Sequence, residues 1–397
     1  MAISKHFLYA CTALTLLPAV PVEAQVTQPA DGAQSVAAPS TDNIGSGSDT
    51  GLQDIVVTAQ KRAENLQRVP IAVTAASGPE LTARGITSSM QLNTVAPGLN
   101  IRTTAGAFQP SIRGVGTSSN FVENPVALYI DGVYLPNQRE GMRELNDVSQ
   151  IAVLKGPQGT LFGRNATGGV IQITTAAPSE TFSAKAKAEI DNYGTVRTSA
   201  YATGGLTPGV SASLGIAYAT QDEGWGKNLT TGNDTFKLRH DFSARGKIKF
   251  ELGADTEATL IGDYMDRSEL TNAFQPYNGS TLAFPGGVAV SLPRPTSVHD
   301  GYGVDSYNNF KGGGVSLTAE HNFSFAQLLS ITSYRQNKYS YQFDNSAVPG
   351  AFFVVTSPKT RAKSFTQEVQ LISTKSGPLT WVLGACLSSE HLAQLAA

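Results

Sequence analysis

Residues 236–252 read FKLRHDFSARGKIKFEL, and the fold turns on them. The even positions, Phe236, Leu238, Phe242, Ala244, Gly246, Ile248, Phe250 and Leu252, are apolar or small, with His240 the exception. The odd positions are Lys237, Arg239, Asp241, Ser243, Arg245, Lys247, Lys249 and Glu251. Side chains alternate across a strand, so this run has one face suited to an apolar medium and one suited to water. Strands of soluble sandwiches usually span about 5–6 residues. Alternation over ten or more residues, between turn-rich segments, matches a membrane-spanning β-barrel strand. A soluble sandwich stays open on these residues alone. Period two recurs at 182–190, where Phe182, Ala184, Ala186, Ala188 and Ile190 alternate with Ser183, Lys185, Lys187 and Glu189. It recurs again at Leu214, Ile216 and Tyr218, at Val315, Leu317 and Ala319, and at Leu379, Trp381 and Leu383.

Composition agrees. The 397 residues carry 29 Lys+Arg against 31 Asp+Glu, and only 15% are charged, below the roughly 25% of soluble domains. A net charge of −2 lacks the basic footprint of nucleic-acid binding. Mean hydropathy of −0.11 argues against a bundle of membrane helices but not against a barrel with a polar lumen. Residues 1–24 read as a secretory signal peptide: Lys5 and His6, an apolar stretch over 7–17, then Val22-Glu23-Ala24 before cleavage. The apolar stretch is short of the ~20 residues of a spanning helix, and Pro18 and Pro21 argue against the alternative of an anchor. Cleavage would remove Cys11 and leave Cys386, so no intramolecular disulfide is expected. Residues 25–53 have almost nothing to bury and read as a disordered linker. Residues 271–310, rich in Pro, Gly, Asn and Ser, read as a long outer loop for ligand contact.

Between these, residues 65–178 give mixed signals of a small α+β domain. Ser77-Gly78-Pro79-Glu80 starts a helix, and 88–92 is a second short helical segment. Strand-like runs follow at 110–113, 126–130, 151–154 and 169–175, with Asp131-Gly132 a two-residue hairpin signal. Ahead of them, 54–60 (DIVVTAQ) places β-branched residues at the tip of the linker. Such a segment suits strand addition to a partner's sheet edge, or else is the first strand of the next domain. The block 151–175, IAVLKGPQGTLFGRNATGGVIQITT, is glycine-rich but lacks the spacing of a phosphate-binding loop. The five histidines are scattered and suggest no metal centre.

Taken in order, these motifs resemble the TonB-dependent receptors of Gram-negative outer membranes. Asp54, Ile55, Val56, Val57, Thr58 and Ala59 look like the TonB box, and 69–73 (VPIAV) like the lead into the plug domain. Arg113, Gly114, Asp131, Gly132, Lys155, Gly156, Pro157, Gly159, Gly163, Arg164, Gly168 and Gly169 match plug motifs. The resemblance implies an α+β plug at 65–178, followed by an antiparallel transmembrane β-barrel of which 181–397 is the N-terminal portion. It implies a non-enzymatic receptor in the cell outer membrane, contacting lipid and needing no cofactor. Such a receptor binds a ferric siderophore or another chelate from outside and pairs with TonB in the periplasm. It also implies that Arg113 and Arg164 face barrel carboxylates, Glu189 or Glu368 being candidates, unless they are simply solvated. Ala152 stands where many relatives carry Glu, which puts any ion pair at that position in doubt.

Length is the anomaly. At roughly 20 residues per strand and connection, 181–397 supplies about ten strands, whereas plugged lumens belong to barrels of about 22. A plug of this size, with a radius of gyration of about 13 Å, does not fit a ten-stranded ring. Residues 386–397 also lose the alternating pattern. The expectation is therefore a truncated receptor, with a non-transporting plug and partial barrel as the alternative.

Overall fold

The structure is a computed structural model describing residues 2–9, 56–58, 62–65, 69–104, 106–119, 122–145, 147–271, 274–278, 281–284, 288–349, 353–374 and 379–394. The plug starts with Ala72–Ser77 (β1), which runs directly into a helix, Gly78–Ala83 (α1). Ser77 caps that helix by accepting from the Glu80 N–H at 3.4 Å, and proline lies in its first turn, where no N–H is needed. A short 3-10 turn, Ser89–Thr94, precedes the hairpin of Leu99–Thr104 (β2) and Ala107–Ile112 (β3). Val126–Ile130 (β4) and Val133–Tyr134 (β5) pair across Asp131 and Gly132. Both turn residues have positive φ, +48° and +79°, as a two-residue hairpin requires. Val148–Lys155 (β6), the single-turn helix Gly159–Phe162 (α2) and Gly169–Thr175 (β7) complete a five-stranded sheet in the order β1-β6-β7-β4-β5. The β7–β4 pairing is parallel.

The uninterrupted apolar run in β6 is explained by burial on both faces. Ile151 and Val153 pack with Leu81, Leu92, Phe108, Ile112 and Ile171 on one side. Ala152 and Leu154 pack with Tyr129, Phe162 and Val170 on the other. Ala152 is thus enclosed by apolar side chains, and no ion pair forms there.

Nine long strands follow: Ser183–Ile190 (β8), Val196–Thr207 (β9), Val210–Thr220 (β10), Lys237–Glu251 (β11), Thr256–Leu270 (β12), Tyr307–Asn322 (β13), Ala326–Asp344 (β14), Val354–Ser373 (β15) and Val382–Gln394 (β16). Each pairs antiparallel with the next, giving an open sheet rather than a closed ring among the described residues. Two expectations are corrected here. Residues 386–394, expected to lose strand character, are the larger part of β16 and pair residue by residue with β15. The loop expected over 271–310 ends before Tyr307, where β13 begins, and holds a small hairpin of Thr281–Phe284 and Val288–Ser291. A tenth strand comes from Ala2–Tyr9, laid along the free edge of β16 with Ala2 opposite Ala393 and Tyr9 opposite Cys386. An unpaired edge offers a row of N–H and C=O groups to any extended segment within reach; this one lies in the stretch read as a signal peptide.

The wall is inside-out relative to a soluble protein. Leu214 is 55% exposed, and Phe242, Leu260, Leu317 and Tyr334 also face outward, whereas Asp241 is 1% exposed and Lys247 and Arg335 are buried against the plug. Outward apolar side chains in every second position suit lipid, not water. Connections at one end are 208–209, 252–255, 323–325 and 374–381, while 191–195 and the longer 221–236, 271–306 and 345–353 lie at the other. That asymmetry is the one outer-membrane barrels show between periplasmic turns and extracellular loops.

Candidate functional site

The plug meets the wall through a seam of hydrogen bonds and charges. At its centre is the 3-10 turn Gln138–Gly141, capped by the Asn137 side chain, which accepts from the Arg139 N–H at 3.0 Å. The turn buries two charged residues against the wall, Arg139 and Glu140. Glu140 accepts from Arg335 Nε at 2.8 Å and from Asn337 Nδ2 at 3.0 Å. The other two guanidinium nitrogens of Arg335 donate to the two Asp263 oxygens, each at 2.8 Å. One planar fork therefore joins a plug carboxylate to a wall carboxylate, a geometry that arginine supports and lysine does not. Arg139 lies over the rings of Tyr339 and Tyr341, 4.9 and 4.2 Å from their centroids, and donates to Asn308 Oδ1 at 3.3 Å. Asn308 in turn donates to Glu269, which shares Arg267 with Asp241.

Nearer the short-turn end, Asp131 accepts from the backbone N–H and hydroxyl of Thr175, both at 2.8 Å, and lies 3.3 Å from Lys247 Nζ. Burial alone would raise the Asp131 carboxyl; Lys247, Arg245 and the Thr175 bonds outweigh it and hold the group below the usual range. Asp147 pairs with Arg245 at 3.4 Å, and Glu144 with Arg197 at 3.6 Å. Glu144 behaves oppositely. Burial, helped by the nearby Asp241, pushes it up to about 7 against the pull of Arg267 and Arg197.

The sequence motif residues sit around this seam with distinct jobs. Gly156, Gly163 and Gly169 have φ of +101°, +73° and +145°, so the glycine block is turn geometry that carries the chain from β6 through α2 to β7. Pro157 and Gly159 precede and open α2, and a Cβ on Gly168 would press on Val115 at 3.0 Å. Arg164, just past the turn at Gly163, pairs with Glu390 of β16 and lies 3.5 Å from Glu123. Its partner is thus neither Glu189, which pairs with Lys187, nor Glu368. Arg113 sits at φ +53°, exposed beside Gly114 (φ +82°), with no ion pair among the described residues. It acts instead on Lys155, whose ammonium is lowered by burial and by the Arg113 charge. Of the TonB-box reading, Val56–Thr58 form a strand paired antiparallel with Ala63–Asn65, while Asp54, Ile55 and Ala59 lie outside the described residues. Arg62, between the two strands, donates to the Ser373 carbonyl and, at 3.0 Å, to its hydroxyl.

Arg139, Glu140, Asp263 and Arg335 were not singled out from sequence. Their one local signal is a charge on the inward parity of an otherwise alternating strand, visible for Asp263 and Arg335. Among the described residues, no group of His, Cys, Asp and Glu is arranged to hold a metal ion.

Residues 65–170 match the family model of the TonB-dependent receptor plug domain. That stretch is a TonB-dependent receptor plug domain. Among curated relatives, the chain is 28% identical over 327 residues to the pesticin receptor of Yersinia pestis, covering 81% of this chain and 46% of that one. It is 23% identical over 353 residues to the rhizobactin receptor of Rhizobium meliloti, covering 78% and 43%. Its fold is shared with the ferric yersiniabactin uptake receptor of Yersinia pestis, with a TM-score of 0.67 at 24% identity, covering 81% of this chain and 49% of that one. The ferripyoverdine receptor of Pseudomonas aeruginosa, solved with ferripyoverdine bound, gives 0.65 at 17% identity over 85% and 44%. The chain spans a little under half the length of the curated relatives it matches.

Proposed function

We propose that the chain is the plug and leading wall of an outer-membrane receptor for TonB-energised uptake of a scarce nutrient, a ferric siderophore. The observation that carries this reading is the polar seam: a folded domain held by charges against the inner face of a wall whose outer face is apolar. The siderophore assignment draws on the relatives' own ligands. Residues 1–24 direct export and are removed, and 25–53 tether the box formed by Asp54, Ile55, Val56, Val57, Thr58 and Ala59. Ligand binds on the long-loop side, above the plug. TonB pairs with the box as an added strand in the periplasm, and its pull opens the seam. No covalent bond is made or broken, so no catalytic residue or cofactor is called for.

The test is a Val56→Pro change in the complete receptor, which removes a backbone donor from the strand TonB must pair with. Uptake of a ferric siderophore should fall while surface binding persists; unchanged uptake overturns the box assignment. The alternative reading is a plug with partial wall that binds ligand or TonB without transport. A heat-modifiable folded species recovered in the outer membrane argues for the first reading, and a soluble or aggregated product for the second.

A further inference from the structure

The outer face of the wall carries a row of charges that the seam does not use. Asp266 of β12 lies opposite Lys311 of β13, Lys311 opposite Lys338 of β14, and Lys338 opposite Arg361 of β15. Directly paired residues share a face of the sheet. Four residues along the same three strands toward the short-turn end, Val315, Tyr334 and Phe365 stand opposite one another and are exposed. Lys311 and Lys338 are exposed with them, and Lys363, two residues from Arg361, has the same parity. Depth is the first notable property. A cation on the lipid face is costly at mid-bilayer and costs little at the interface, which aromatic residues mark. The row begins just beyond Tyr334 and Phe365, on the side of the long connections, and so stands at headgroup level. Pairing is the second. Side chains directly opposite lie about 5 Å apart, and like charges so placed destabilise a sheet. Other wall lysines have carboxylates: Lys187 with Glu189 at 2.6 Å, Lys237 with Asp234 at 2.8 Å and Lys249 with Glu257 at 2.8 Å. In the row, Asp266 serves Lys311 at 2.8 Å, while Lys338, Arg361 and Lys363 have no ion pair among the described residues. An anion from outside the chain would relieve the repulsion that the wall itself leaves standing.

We propose that Lys311, Lys338, Arg361 and Lys363 hold the phosphorylated headgroup of an anionic lipid against the outside of the wall. The phosphate oxygens accept from the ammonium and guanidinium groups, which span about 10 Å across three strands. The acyl chains lie along Val315, Tyr334 and Phe365. That a bilayer surrounds the wall rests on the receptor reading; the sign, spacing and depth of the row rest on strand register.

The full chain, folded in dodecyl maltoside, is titrated with lipid A, a glycolipid with two phosphates, and with dimyristoylphosphatidylcholine, which has no net charge. Bound lipid per chain is counted by native mass spectrometry. Lipid A should bind at least about tenfold more tightly than the phosphatidylcholine. Lys338→Gln with Arg361→Gln should weaken lipid A binding about twentyfold, each cation at an anionic surface being worth about fivefold. Lys187→Gln with Lys249→Gln removes the same charge from elsewhere on the wall and should leave binding unchanged. Equal weakening by the two double variants reduces the effect to overall charge and overturns the site. Displacement of lipid A by millimolar inorganic phosphate makes it a free-anion site and overturns the lipid assignment. Thermal unfolding guards against misfolded variants. Lys338→Gln alone removes both like-charge oppositions, so without lipid it should raise the midpoint, and lipid A should stabilise it less than the unchanged chain. A lower midpoint without lipid overturns the argument from repulsion. If the folded chain does not insert into liposomes, the receptor reading falls even where lipid A binds as expected; insertion with no preference for lipid A removes the site alone.

Discussion

Replacing Arg335 with Met tests what seats the plug. Arg335 is nearly buried and holds Glu140 and Asp263 at once, through bonds of 2.8 Å to each. The methionine stem fills much of the same volume, so the loss is electrostatic: two carboxylates face each other without the cation between them. Removing one partner of a buried pair costs about 3–5 kcal/mol. Arg143 and Arg245 still act on Asp263, and Asn337 still donates to Glu140, which puts the expectation near the low end, about 3 kcal/mol. That corresponds to roughly a hundredfold in the equilibrium between seated and released plug. Hydrogen exchange of plug peptides spanning 126–155, in the chain refolded in micelles, should accelerate by that factor. Arg84→Ala is the control, because its pair with Glu80 is exposed on one helical turn and is worth a few tenths of a kcal/mol. Converting all three residues together, Glu140→Leu, Asp263→Leu and Arg335→Met, should restore most of the protection, since an apolar triad leaves no unpaired charge. If Arg335→Met opens the plug no more than Arg84→Ala, or if the triple change is worse than the single one, the seam is not what holds the plug.

Three further outcomes follow from the same geometry. The Glu144 carboxyl, raised from its ordinary value of 4.5 to about 7, holds in the folded state a proton that the unfolded chain releases first; plug stability should therefore fall by about 3 kcal/mol as pH rises from about 4.5 to 7. Urea titrations across that window should show the fall, and Glu144→Gln should flatten it; parallel curves for the two proteins sink the assignment. At Gly169 an added Cβ would lie 2.3 Å from the Leu154 carbonyl oxygen at φ +145°, whereas Gly156, also at positive φ, faces open space. Gly169→Ala should cost about 2–4 kcal/mol and Gly156→Ala about 1 kcal/mol in thermal unfolding, and equal effects would count against the packing described for β6 and β7. Leu317→Arg, on the outward face opposite Leu260, should reduce folding into liposomes by about 2–4 kcal/mol, while a negligible effect would mean this face does not meet lipid.

The wall was legible wherever its two faces differ strongly. In residues 236–252, Lys and Arg on one parity and Phe and Ile on the other mark the boundary between plug and lipid. β16 escaped because its inward positions are Gly384, Cys386 and Ser388, too small and too mildly polar to contrast with Leu383 and Leu387. The Asp131-Gly132 turn was legible because backbone chemistry alone demands it. The seam was not: Glu140 and Arg335 are 195 residues apart, and Arg164 and Glu390 are 226 apart, so no local pattern couples them. Arg113 looked equivalent to Arg164 as a motif residue, yet it is exposed and makes no ion pair among the described residues.

The seam also dictates how the plug can leave. A dry, apolar contact must be broken all at once, because every ångström of opening exposes surface that water resists. Here the contacts are single polar links strung along the wall, Asp131 with Lys247, Asp147 with Arg245, Glu140 with Arg335 and Arg139 with Asn308. Each group, once detached, is rewetted and no longer opposes the next. A load applied at the N-terminal end thus meets a zipper rather than a weld. On the receptor reading proposed above, the domain leaves link by link rather than all at once.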